Sequence, residues 1–214
     1  GAVILRMADL KLGAVEDFPF IEPPDGRLIR DGYRLLEELG ALDKQRRVTT
    51  LGRQLARFPL DPTLARMVVA GAEKKVLREV LVIAAELSIQ DPRDRPQERR
   101  EQANEFHNRF KVEGSDLLSL VALWDYLRTK QRELSGNQFR RLCRTEFLNY
   151  LRVREWMDLF SQLRRIAGQL GIRPTTQESH PDHVHQAVLA GLLSHIGMRD
   201  RETRDFLGAR QSRF

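Results

Sequence analysis

The chain has a single cysteine, Cys143, in 214 residues, so no disulfide framework can staple it, and a reducing cytoplasm is the expected setting. It has no apolar run near the ~20 residues that a membrane-spanning helix requires. The opening residues Gly1–Met7 lack the basic start, long apolar middle and cleavage site of a signal peptide. Also missing are the G-x-x-x-x-G-K-[ST] phosphate loop, the G-x-G-x-x-G dinucleotide fingerprint and the G-x-S-x-G nucleophile elbow. His180, His183 and His185 in SHPDHVH match no closed zinc spacing, and the cysteine is far away in sequence, so no metal site is expected. Cys143 sits among Arg140, Arg141 and Arg144, whose charge would favour a thiolate. No histidine is near it, however, and a packed thiol is the default. No catalytic residue is assigned, and the sequence reads as a binding or coupling module rather than an enzyme.

Positive charge is plentiful. The net charge is +6 with a pI near 9.9, which permits a polyanionic partner without requiring one. Most of the basic side chains are arginine, able to fork onto phosphate or stack on a base. Residues 137–173 hold eight arginines (140, 141, 144, 152, 154, 164, 165 and 173) against Glu146, Glu155 and Asp158, and that surplus of five is most of the net charge. Arg140, Arg144, Arg152 and Arg154 are therefore the candidate nucleic-acid-binding residues. A face bearing them could track a phosphate backbone, or could simply be an exposed helix made soluble by arginine.

The organising stretch is VTTLGRQLARFPLDPTLARMVVAG, residues 48–71. Thr49 or Thr50 can cap a helix bearing Leu51, Leu55 and Phe58, and Pro59 stops it. Asp61 followed by Pro62 is an N-cap with proline at the first helical position, and Leu64, Met67, Val68 and Gly71 continue in a new phase. Two helices thus meet across Phe58–Asp61 with little slack. Ahead of them, a helix to about Lys11 has Val3, Ile4, Met7 and Leu10 in phase with no cap in front, as if entered partway through a longer protein. Phe18, Phe20 and Ile21 of DFPFIEPP are expected to pack back on a core. Asp25 caps a second helix with a stripe of Leu28, Leu35, Leu36 and Leu39, and Ala41–Val48 suits a small hairpin. Helix, helix, hairpin and helix make a winged-helix-like unit. Its second helix sets Arg27, Arg30 and Arg34 against Asp31, Glu37 and Glu38, which favours a structural winged helix over a DNA reader.

After the joint, helices follow almost without interruption. Val76–Ser88 is apolar on most of its circumference, as a central helix should be. Arg93–Arg109 is dominated by charges of both signs and reads as a solvated face. Gly114-Ser115-Asp116 leads into a helix bearing Leu117, Leu120, Val121, Trp124 and Leu127. A long stretch with a bend near Cys143–Thr145 then reaches Leu170, its apolar set being Phe147, Leu151, Trp156, Leu159, Leu163 and Ile166. Asp182 is expected to cap a helix over His183–Ser194, and Ile196–Met198 with Phe206–Leu207 read as short strands.

The segments FPFIEPP (Phe18–Pro24), LLEELGAL (Leu35–Leu42) and VTTLGRQLARFPLDPTLARMVV resemble, in that order, the C-terminal winged-helix and helicase-associated region of DEAH-box ATP-dependent RNA helicases. RTEFLNYLRVREW (Arg144–Trp156) and AGLLSHIGMRD (Ala190–Asp200) are similar to the long bacterial branch of that family. The resemblance implies a mainly α fold: a winged-helix domain at 1–60, a ratchet-like helical bundle at 61–181, and at 182–214 the opening helix and first strands of an incomplete oligonucleotide-binding β-barrel. It implies a role in coupling movement of the parent's RecA-like motor domains to the gripping of single-stranded RNA. ATP and Mg would belong to those motor domains, with no cofactor in this chain. Two other readings stay open: a stand-alone winged-helix regulator and a helical protein-interaction scaffold.

Overall fold

The computed structural model describes residues 1–174, 179–193, 196–199 and 206–208. It is mainly helical and divides into two units, one of residues 1–74 with 186–214, the other of residues 75–185.

The first unit holds α1 (Ala2–Asp9), α2 (Gly26–Glu38), α3 (Thr50–Ala56) and α4 (Pro62–Glu73). Local chemistry sets the helix starts. The Asp25 carboxylate accepts from the Arg27 N–H, the Thr49 hydroxyl from Gly52, and the Asp61 carboxylate from Thr63. The Thr49 hydroxyl also donates to the Gly40 carbonyl at 2.7 Å, tying the start of α3 to the beginning of the loop after α2. Phe58 is buried at the end of α3, and α3 packs on α4 across the short Arg57–Asp61 connection. Gly52 faces the Ala41 carbonyl so closely that no side chain fits there. Gly191 has the same relation to the Thr63 carbonyl and Met67 on α4. The hairpin expected at Ala41–Val48 is reduced to one antiparallel bridge, Leu42 to Val48, around a turn in which Asp43 accepts from the Gln45 and Arg47 amides.

Several expected core positions lie outside. The buried face of α2 is Ile29, Gly32, Tyr33 and Leu36, with Leu39 just beyond it, and this phase leaves Leu28 one helical step away and 66% exposed. Leu10, which caps the end of α1 just ahead of the left-handed residue Lys11, is exposed, as are Val3, Phe18 and Ile21.

In the second unit, α5 (Leu77–Glu86) is the axis. Val80 through Ala85 are wholly buried because α7 (Asp116–Glu133) and α9 (Tyr150–Gln169) both pack against it. The Trp156 indole N–H donates to the Val82 carbonyl at 2.9 Å, and its ring lies 5.1 Å from that of Trp124. Surrounding them are α6 (Arg100–Asn108) and α8 (Gly136–Thr145), the latter opened by a capping box between Ser135 and Gln138. The expected bend near Cys143–Thr145 is a full break at Glu146–Asn149, which removes Phe147 from the helix and leaves Leu151 73% exposed.

The last described helix is α10 (Pro181–Leu189), shorter than the expected His183–Ser194. Strands β1 (Gly197–Arg199) and β2 (Phe206–Gly208) pair antiparallel, Met198 opposite Leu207. The described part of 182–214 is this helix and a two-stranded sheet, which by themselves do not show the expected start of an incomplete β-barrel, and much of that range lies outside the described residues. No described helix is long and apolar enough to cross a membrane.

Candidate nucleic-acid interface

Helix α8 turns Phe139 and Cys143 inward and leaves Arg140 and Arg144, one turn apart, exposed. The helix ends in a left-handed residue at which glycine is the usual choice, but Phe147 occupies it with φ 55°. The Leu148 N–H closes the turn onto the Cys143 carbonyl at 2.8 Å. A left-handed turn costs a residue with a Cβ roughly 1–2 kcal/mol. What holds Phe147 there is its carbonyl, which accepts from the Asp94 N–H at 2.8 Å and from His107 Nε2 at 3.1 Å. Two more links join the same segments: the Asn149 N–H donates to the Pro92 carbonyl at 2.7 Å, and Arg93 bridges to Leu148. The loop after α5 is thereby stitched to the break between α8 and α9.

This stitching makes a groove of about 630 Å³ whose walls are Asp94, Pro96 and Arg99 on one side and Arg140, Arg144 and Phe147–Leu151 on the other. Two of its guanidiniums lie over rings, Arg99 4.7 Å from the Phe147 centroid and Arg140 4.9 Å from that of Tyr150. Such cation–π seating fixes each head without using its N–H groups, though the Nε and Nη2 of Arg99 are taken by Gln102. Arg140 and Arg144 make no ion pair among the described residues, and Arg99 bonds only the neutral Gln102.

Arg152 is spent differently. Its Nη1 donates to Asp94 Oδ1 at 3.2 Å and to the Asp91 carbonyl at 3.1 Å, so it neutralises the one acid of the groove wall and holds the loop. Arg154, two residues on and about 200° round α9, is exposed and does not line the groove. The structure therefore brings together Arg140 and Arg144, sets Arg152 behind them as a strut, and leaves Arg154 apart. Sequence reasoning missed Arg99, which sits in the mixed charged run, and the aromatic seats Phe147 and Tyr150.

Beneath the groove lies a set of coupled charges. Burial pushes the Glu86 carboxyl up to about 7, with Asp91 adding to the rise and Arg93 opposing it. Burial pulls Asp91 the same way, but hydrogen bonds from the Arg93 side chain and backbone outweigh it and hold that carboxyl below its ordinary range. Burial lowers the pKa of His107, assisted by Arg95 and Arg93, and a neutral imidazole that donates through Nε2 leaves Nδ1 without a partner. Cys143, buried and pushed up to about 11 chiefly by burial, is a thiol, not a thiolate. The described residues contain no cluster able to hold a metal ion, and His185 instead contacts the Ser115 hydroxyl at 2.7 Å.

Two family models match the chain: the winged-helix part of the helicase-associated domain HA2 over residues 32–60 and its ratchet-like part over residues 61–120. These two models meet at residues 60 and 61, in the joint between α3 and α4. Over its whole length the chain is 50% identical to the ATP-dependent RNA helicase HrpA of Escherichia coli (strain K12) and 44% identical to the HrpA homolog of Haemophilus influenzae, spanning 17% of each. Ninety per cent of it is 28% identical to a probable ATP-dependent RNA helicase DHX35 of Homo sapiens, of which it spans 27%.

Proposed function

Since this chain carries the winged-helix and ratchet-like helicase-associated domains shared with RNA helicases, we propose that it serves as the accessory region of a DEAH-box ATP-dependent RNA helicase in the cytoplasm. Its role is to pass movement of the parent's RecA-like motor domains to a grip on single-stranded RNA, while ATP, Mg and the hydrolytic residues belong to those motor domains. The incomplete oligonucleotide-binding barrel at 182–214 would add to the grip in the parent.

The observation that carries the RNA reading is the groove of Arg99, Arg140 and Arg144, two of them seated on rings and none paired with a carboxylate among the described residues. Guanidiniums presented this way meet phosphate rather than base edges, so the grip is indifferent to sequence. Arg152 contributes by pairing with Asp94 and so offsetting the negative charge in the wall. Arg154 has no part in this groove and is the built-in control.

The test is titration of labelled single-stranded RNA at several salt concentrations. Each phosphate neutralised on a single strand contributes about −0.7 to the slope of log affinity against log salt, so three arginines contribute about −2. Replacing Arg99, Arg140 and Arg144 together by glutamine is expected to remove most of that slope, and Arg154→Gln to leave it in place. An unchanged slope in the triple variant would overturn the assignment. Salt-insensitive behaviour, or a preference for one duplex sequence, would point instead to a scaffold or a winged-helix regulator.

A further inference from the structure

A second basic concavity of about 490 Å³ lies elsewhere on the helical unit, where α5, α7 and α9 meet. On α7, Arg128 and Arg132 stand one turn apart. On α9, Phe160 and Arg164 do the same. The floor between them, including Leu81 and Phe160, is mostly apolar. Arg78 also reaches it, but is occupied by Asp125 and Glu79. The other three cations have no carboxylate partner among the described residues. Arg128 bonds the neutral Gln131, Arg132 bonds a backbone carbonyl of its own helix, and Arg164 makes no ion pair. Three exposed guanidiniums around an apolar floor are electrostatically incomplete, and nothing in the groove of Arg140 and Arg144 uses them.

We propose that this concavity is a docking site for an acidic peptide segment of a partner protein, with one large apolar side chain on the floor and flanking carboxylates forked by Arg128, Arg132 and Arg164. Charge complementarity calls for an anion, and the floor calls for a hydrocarbon on the same ligand. A peptide supplies both within a few residues. A nucleic-acid strand has only the half-buried Phe160 ring to stack on, since the Trp124 indole is 2% exposed beneath Phe160 and Arg128. Tyr150 at the start of α9 and Phe160 are separated by ten residues, or about 15 Å of helix, so this site and the RNA groove are separate surfaces.

The experiment uses the full chain and a dye-labelled acidic hexapeptide with one phenylalanine flanked by aspartate and glutamate. Fluorescence anisotropy is expected to detect binding that weakens by about tenfold or more in the Arg128→Gln/Arg132→Gln variant, since each lost charge-assisted pair removes a substantial part of the affinity. A similar loss is expected when the peptide's phenylalanine is replaced by serine at unchanged charge. Arg140→Gln/Arg144→Gln should leave peptide binding intact, and circular dichroism should show each variant folded, all the altered residues being exposed. The proposal falls if the wild type does not bind the peptide. It also falls if the serine peptide binds equally well, since the floor would then be idle, or if Arg128→Gln/Arg132→Gln loses single-stranded RNA rather than peptide.

Discussion

Replacing Glu86 by glutamine should make the helical unit more stable at neutral pH and leave it unchanged in mild acid. Glu86 is 5% exposed at the end of α5, and its carboxyl stands at about 7 against an ordinary 4.5, from burial first and Asp91 second. A folded-state pKa above the unfolded one means that the native protein holds the proton more tightly. Stability from this group is therefore fully present below about pH 4.5 and is lost as pH rises through about 7. At about 1.4 kcal/mol per pH unit the full span is worth at most about 3.5 kcal/mol, and partial hydration of the site brings the expectation to about 1–3 kcal/mol. Glutamine mimics the neutral acid and has no such loss. Both tryptophans of the chain, Trp124 and Trp156, are buried in this unit, so their fluorescence in urea titrations reads its unfolding without contribution from the other. The informative quantity is the difference between variant and wild type at each pH. His107, whose lowered pKa makes its contribution fade as pH falls, is present in both proteins and cancels, while Asp91 titrates below the window. The difference should be near zero at about pH 4.5 and reach its maximum above about pH 7. A difference that does not change with pH would refute the argument.

Other expectations concern the packing. Gly52→Ala would drive a Cβ into the Ala41 carbonyl and within 3.0 Å of Val48, and should cost about 1–3 kcal/mol in thermal melting. Gly168→Ala, with nothing within 4 Å, should add roughly 0.5–1 kcal/mol through helix propensity. Equal effects at the two glycines would show that close approach is not what α3 requires. Cys143, buried with its thiol pushed up to about 11, should resist a disulfide reagent in native protein and react only after denaturation. Prompt native labelling would contradict that burial.

What was legible in the sequence is what local chemistry decides. Asp25, Thr49 and Asp61 each cap a helix as expected, and the continuous apolar character of Val76–Ser88 marks a helix that is buried all round from Val80 to Ala85. Leu28 shows the limit of periodicity, since a leucine one step off the stripe cannot be told from one on it until the partner surface is known. The groove was legible only in part. Arg140 and Arg144 follow from helical spacing, but Arg99 joins them through hydrogen bonds between residues 92–94 and 147–149, and no pattern in either segment announces the other. Arg152 was legible as a cation, and its role as a strut is set by an aspartate 58 residues earlier.

The turn at Phe147 has a consequence for any anionic strand that enters the groove. Its carbonyl is gripped from two directions and its ring carries Arg99, so contacts within the protein itself hold this wall of the cleft. On the proposed RNA reading, Arg99 and Arg140 would have less rotational freedom left to lose on binding, while Arg144 would still have its own to lose. Loosening that single residue would therefore weaken association without deleting any group that touches the strand.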